Sequence, residues 1–412
     1  MSAPAGASDS ASAPLSRSFR FFLWTRFTST AANQILLVAL GWQMYDLTGS
    51  AFDLGLVGLV QLAATLAVTL PAGHLADRMD RRRLLAVAIG FQAFAAAALA
   101  WGSHSGWISR GAILALSTLI GIMRALQMPA SQAIIPKLVS TMQLPRALAI
   151  SSSVMQVAVV SSPALGGFIY ALGPDLAYGT CFIVSLAAIA CALAIAPVPI
   201  IKAPERSTLR SLFAGFGFMF KEPVVLGAIS IDLFAVVLGG VTALLPIYAK
   251  DILQTGPWGL GLLRAAPAVG ALAMGVWLTH HPLESRVGAR FFAAIAVFGA
   301  SLLAFAFSRN LGLSLVLLAV SGSADMVSVV VRQTLVQIET PDEMRGRVSA
   351  VNSTFIVTSN QLGEFRAGTM AAWLGPVGSV VAGGIGTLVV VALGSWIFPA
   401  LAKRDKLVVR SE

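Results

Sequence analysis

Eight ionisable side chains stand inside long apolar runs of this 412-residue chain: Arg26, Arg124, Asp232, Arg264, Asp325, Arg332, Glu364 and Arg366. A charge held at bilayer depth costs several kcal/mol unless it meets a partner or water. Asp232, Asp325 and Glu364 are the deeply placed acids, and burial moves a carboxyl toward the range where protons exchange near neutral pH. Proton coupling is therefore the chemistry expected of these three. Arg26, Arg124, Arg332 and Arg366, with the amides of Asn33 and Gln127, are the expected lining of a polar cavity for substrate. Five cations against three acids leave two positive charges, which an anionic substrate would compensate. Glu364 and Arg366 are two residues apart, so on one helix they cannot face each other.

Other chemistries find little support. The sequence has no H-E-x-x-H, no G-x-S-x-G and no Walker A string. His280, His281 and Glu284 fall in a turn where adjacent histidines point apart, so no metal site is expected there, and no cofactor beyond a proton gradient. Cys181 and Cys191 are ten residues apart on one apolar run, about 15 Å of helix rise and too far for a disulfide.

These residues need a membrane scaffold. Hydrophobic residues make up 57% of the chain and charged residues 11%, against about 25% charged in soluble domains. Apolar runs near 20 residues recur along it, which predicts an all-α, multi-pass membrane protein. Helices are expected at about 19–45, 52–72, 84–101, 111–133, 147–172 and 176–197. A second set is expected at 224–248, 258–278, 291–307, 312–336, 348–373 and 377–399. Residues 1–18 read as a disordered tail, 19–199 and 224–400 as two six-helix bundles, 200–223 as a linker, and 401–412 as a second tail. In the linker Leu209, Leu212, Phe213, Phe216 and Phe220 recur at helical spacing, as in an interfacial helix.

The net charge of +10 implies membrane topology rather than nucleic acid. With the N-terminus inside, twenty lysines and arginines fall on the cytoplasmic side, and only Arg110, Lys250 and Arg309 fall outside. Both termini are therefore expected in the cytoplasm of a bacterial cell, with the chain in its inner membrane. The buried charges avoid helices 3, 6, 9 and 12. That pattern predicts four three-helix units whose third helices face lipid.

Several strings then carry gating and packing. After helix 2 the chain reads GHLADRMDRRRLL, 73–85. Gly73 permits close backbone approach, Asp77 sits where the helix ends, and Arg78, Arg81, Arg82 and Arg83 suit anionic headgroups. This string resembles the signature loop G-x-L-a-D-R-x-G-R-R of the major facilitator superfamily, with Asp80 in place of one Gly. Arg124 in RALQMPA is similar to that superfamily's helix 4 arginine pattern. SSPALGG (161–167, with Pro163, Gly166 and Gly167) resembles its helix 5 antiporter motif, and AAPAVGA (265–271, with Pro267) repeats it in helix 8. The pair suggests a shared pivot between bundles. Thr340, Pro341 and Glu343 suit a helix start with a capping box.

VRQTLVQIETPDEMRGRVSAVNSTF and NQLGEFRAG resemble the enterobactin-exporter-like branch of the superfamily. The resemblance runs from Phe19 to about Phe398. It implies two six-helix bundles, alternating access without ATP, and export of siderophores, drugs or related metabolites by a single chain. It also implies that Asp77 meets the N-terminus of helix 11 and closes the cytoplasmic side. An importer of the same fold is the nearest alternative, and a membrane-embedded enzyme or sensor a more distant one.

Overall fold

The computed structural model describes residues 15–197, 217–220 and 222–406, so most of the expected linker helix and both chain ends lie outside the described residues. The described residues are almost wholly helical, with no strand. Six helices make the first half: α1 (Arg17–Thr48), α2 (Ala51–Arg78), α3 (Arg81–Ser105), α4 (Arg110–Leu138), α5 (Leu144–Leu172) and α6 (Pro174–Leu193). The second half opens with α7 (Pro223–Gly239) and continues with α8 (Gly256–His280), α9 (Val287–Phe307) and α10 (Leu311–Glu339). The helical run Asp342–Ile397 is two helices, α11 (342–374) and α12 (376–397), divided at Gly375 with φ 75° and ψ 165°. Only a residue without Cβ adopts that backbone cheaply, and Pro376 then starts the next helix. Ten of the helical runs are long and apolar enough to cross a membrane. The divided run counts as one of these ten, and α1, 32 residues long, is not among them.

α7 departs from the single helix expected there. It stops at Gly239–Gly240 and continues as a 3₁₀ turn (Thr242–Leu244), a short α turn carrying Pro246 and a π turn (Tyr248–Ile252). Two glycines and a residue without an N–H explain the interruption.

The chain forms two compact units. Among the described residues, one comprises 15–40 and 63–197, the other 41–62, 217–220 and 222–406. In the first, Phe19, Phe22, Ile134, Ile135, Ala147 and Ile195 make an apolar core, and α3 packs along α6. In the second, Phe291, Phe292, Ile295, Val331 and Leu335 close on Ala228, Ile231 and Leu401. The segment after α12 docks here. Val287 and Gly288 donate to the carbonyls of Asp405 and Arg404.

The segment Gly41–Leu62, the end of α1 and the start of α2, belongs to the second unit. Lys250 pairs with Asp46, and the Tyr45 hydroxyl donates to Asp251. A Cβ on Gly55 would stand 3.0 Å from the carbonyl oxygen of Phe365, and one on Gly368 2.6 Å from that of Ala51. α2 and α11 thus cross backbone to backbone.

Candidate functional site

The acids and arginines predicted to do chemistry fall into separate groups. On α10, Asp325, Ser328 and Arg332 follow one another at three and four residues, so one face carries all three. That face meets Asp232 of α7. The Ser328 hydroxyl donates to Asp232 Oδ1 at 2.7 Å, and Arg332 Nε stands 3.1 Å from Asp232 Oδ2. This last contact is an ion pair without hydrogen-bond alignment. Arg332 Nη1 donates to Oδ1 of Asn352 on α11 at 2.5 Å. Arg332 is 3% exposed and Asp232 7%, so the pair is held away from bulk solvent.

Asp232 and Asp325 line one small void with Ala235, Val236, Ile295, Phe298, Ala324 and Ser328. Its open space is about 10 Å³, close to what one water molecule needs. Ile295 and Phe298 come from α9. A helix with no buried charge, expected to face lipid, therefore also walls the acid site.

Glu364 and Arg366 are separated, as their spacing requires. The Glu364 carboxylate packs against α2, with Oε2 2.9 Å from where a Cβ on Gly58 would be. Arg366 turns to the break in α7. It donates to the carbonyls of Val237 and Gly240, each at 3.2 Å, and of Ser379 at 3.4 Å. A cation on the free carbonyls of a helix end is favourable. Arg366 thus supports the interruption of α7, and these contacts occupy a guanidinium expected to line the cavity.

The polar residues of the first unit gather on α1, α4 and α5. Arg26 donates to the Ser151 hydroxyl at 2.9 Å and to Met155 Sδ at 2.9 Å. Gln127 donates to the Ser29 hydroxyl at 2.9 Å, and the buried Gln92 of α3 reaches the Ser29 carbonyl at 3.4 Å. Asn33 lies on the same helix with Oδ1 buried and without a hydrogen-bond partner among the described residues. Arg124, one turn before Gln127, is half-buried. Arg26 and Gln127 thus join α1 to α5 and α4, with Asn33 one turn beyond Ser29 on α1, while Arg332 and Arg366 belong to other groups. Arg264, expected near the start of its helix, is half-buried in α8.

The motif residues show where local rules sufficed. Asp80, the departure from the signature loop, caps α3. Its carboxylate accepts from the Arg82 backbone N–H at 3.1 Å and pairs with Arg82 Nε at 2.7 Å. Arg81 donates to the Ala133 carbonyl and Arg82 to that of Ile195. Each of these two arginines thus reaches the backbone of another segment. The close backbone approach expected at Gly73 is corrected, because an added Cβ there would meet nothing within 4 Å. The side chains of Asp77 and Arg78 lie outside the described residues.

Thr340 does not cap α11. The helix starts after Pro341 without a side-chain cap, and the buried Thr340 hydroxyl has no hydrogen-bond partner among the described residues. Pro341 leaves its own carbonyl to accept from Met344 and Arg345, so the turn closes without the hydroxyl.

The helix 5 and helix 8 motifs make packing seams within each unit. Pro163 lies in α5, where a Cβ on Gly166 would be 2.9 Å from Ile35 Cα of α1. The adjacent Gly167 is also buried. In α8, Gly270 lies against the Ala319 carbonyl of α10, and Gly322 against that of Pro267. Cys181 and Cys191 are both free. His281 stacks on Trp277 with ring centroids 4.6 Å apart, and no metal-binding cluster occurs among the described residues.

Four residues that complete these groups were not singled out from sequence: Ser328, Asn352, Ser29 and Ser151. Ser328 was legible, lying between Asp325 and Arg332 on one face. The partners on other helices required the tertiary structure.

Known proteins agree with this architecture. Residues 9–408 match the transmembrane secretion effector family. The enterobactin exporter EntS of Shigella dysenteriae serotype 1 (strain Sd197) is 29% identical over 388 residues, covering 90% of this chain and 89% of its own. The enterobactin exporter EntS of Escherichia coli O1:K1 / APEC gives the same identity and coverage. Among solved structures, a bacterial homologue of the human lysosomal transporter Spinster has TM-score 0.72 at 14% identity, covering 97% of this chain and 99% of that one. A bacterial homologue of the iron transporter ferroportin has TM-score 0.71 at 17% identity, covering 94% and 99%. The chain is a multi-pass membrane transporter, not an enzyme, and it belongs to the transmembrane secretion effector family of the major facilitator superfamily.

Proposed function

We propose that this chain exports small molecules from a bacterial cytoplasm by proton-coupled alternating access. The observation that carries the proposal is the shared void of Asp232 and Asp325, with Arg332 paired to Asp232 at 3.1 Å. A proton on either carboxyl removes one negative charge beside a buried guanidinium. That weakens the Asp232–Arg332 pair and shifts Arg332 toward Asn352 on α11. One protonation event thereby reaches α7, α10 and α11 together, as a coupled transporter requires. No ATP or cofactor enters the cycle.

The substrate is small and carries negative charge. Its contacts are the α1–α4–α5 cluster of Arg26, Ser29, Asn33, Gln127 and Ser151, where the unpartnered Asn33 oxygen offers an acceptor. The orientation with both termini in the cytoplasm follows from twenty cations against three. Asp77 closes the cytoplasmic side in this reading, while Asp46–Lys250 and Tyr45–Asp251 hold the outer ends. The protein works as a monomer.

Everted vesicles carrying the protein test the proposal. An imposed proton gradient should drive uptake of an exported compound and release lumenal protons in exchange. Uptake unaffected by collapsing the gradient would reject coupling, and uptake only into right-side-out vesicles would reject export.

A further inference from the structure

A groove on the first unit stands apart from the polar cluster. Arg20, Leu23, Trp24 and Phe27 follow one another along α1 at the spacing of a single helix face. Val154 of α5 makes the opposite wall, and the five enclose about 310 Å³. Trp24 is 60% exposed and meets Phe27 edge to face, with centroids 6.1 Å apart. Arg26 points the other way, into Ser151 and Met155. Along the α1–α5 seam the Arg26 contacts and this groove are therefore separate. Arg20 is the only polar wall, and its guanidinium is exposed, with no partner among the described residues. Seven residues separate it from Phe27, about 10 Å of helix rise.

A cation at one end, an interfacial tryptophan beside it and an apolar slot running deeper match one molecule type in a bilayer. We propose that the groove binds an anionic phospholipid, with phosphate on Arg20 and one acyl chain along Leu23, Trp24, Phe27 and Val154. With the orientation proposed above, this lipid belongs to the inner leaflet. The guanidinium fork suits two phosphate oxygens, and the slot offers a zwitterionic headgroup no acidic partner for its cation. An aqueous solute gains nothing from walls with a single polar residue.

The groove contains its own reporter. The full-length protein is reconstituted in symmetric vesicles containing phosphatidylglycerol or phosphatidylcholine with brominated acyl chains. Trp24 emission is read as the difference between the wild-type chain and Trp24→Phe, which removes the other seven tryptophans from the signal. Brominated phosphatidylglycerol should quench Trp24 at a mole fraction about fivefold lower than phosphatidylcholine. Arg20→Gln should abolish that preference, Arg20→Lys should retain part of it, and Val154→Phe should fill the slot and reduce quenching by both lipids. Equal quenching by the two lipids would mean annular lipid only and overturn the proposal. Absence of quenching by either would mean that another part of the chain covers the groove, and would overturn it as well. The readout needs no transport, so its failure is distinguishable from failure of the export reading.

Discussion

Arg332 and Asp232 meet 3.1 Å apart between α10 and α7, with both residues under a tenth exposed. A buried ion pair is expensive to assemble, and removing one partner leaves the other charge uncompensated. Asp232 keeps Ser328 as a hydrogen-bond donor, and Arg332 keeps Asn352 as an acceptor. If the pair opens, each partner therefore still has one polar contact.

Arg332→Met should destabilise the protein by about 3–5 kcal/mol, because it strands Asp232 in the core. Thermal unfolding of the purified protein measures this. Adding Asp232→Asn to Arg332→Met should recover most of the loss while proton coupling stays absent. Recovery of coupled transport in the double variant would remove the pair from the mechanism.

Arg366 should prove a support for α7. Arg366→Gln forfeits charge-assisted contacts to Val237 and Gly240 and should cost about 1.5–3 kcal/mol for each bond lost. Arg366→Lys should recover part of that. The discriminating readout is substrate affinity in the folded fraction, which should stay within about twofold of wild type. A tenfold drop, equal to about 1.4 kcal/mol, would return Arg366 to the substrate site.

Gly270 and Gly322 should not tolerate a methyl group. An added Cβ would stand 1.8 Å from the Ala319 carbonyl oxygen or 1.9 Å from that of Pro267. α8 and α10 would have to separate, at a cost of about 1–3 kcal/mol. Gly73→Ala, with nothing within 4 Å of its Cβ, should leave folded yield unchanged. Fluorescence-detected size exclusion compares all three.

The Asp46–Lys250 pair should hold the end of α1 against the π turn at Tyr248–Ile252. It is partly exposed, and such pairs contribute about 0.2–1 kcal/mol. Lys250→Gln should therefore raise labelling of a cysteine placed beneath the pair by up to about fivefold. Exchanging the charges in Asp46→Lys with Lys250→Asp should restore the wild-type rate. Unchanged labelling in Lys250→Gln would show that the pair holds nothing closed.

Much of this was legible in the residues themselves. Bilayer cost forces charges in apolar runs to have partners, so Asp232, Asp325 and Arg332 identified themselves one by one. Helical spacing placed the last two on one face with Ser328. The division at Gly375–Pro376 was signalled by a Gly–Pro pair between two apolar runs.

What was not legible depended on distance in sequence. Nothing local says that Asn352 receives Arg332, or that Arg366 turns to carbonyls of α7 rather than to a cavity. Thr340 failed for a related reason. A capping-box pattern is a local preference, and here the helix starts after Pro341 while the Thr340 hydroxyl is buried without a partner among the described residues. The break in α7 was hidden because Gly239–Gly240 and Pro246 lie in a run apolar enough to read as one span. Asp80 was legible in chemistry but not in identity. It departs from a family pattern, yet an acid one residue before a helix is a good cap in any chain.

The central claim is that the acids lining the void carry the transported proton. Proton movement during export in everted vesicles, read with a pH-sensitive dye in the lumen, tests it most directly in Asp232→Asn, Asp325→Asn and the double variant. The double variant should still bind substrate but move no protons and no longer respond to an imposed gradient. Protons exchanged at the wild-type ratio by the double variant would contradict it.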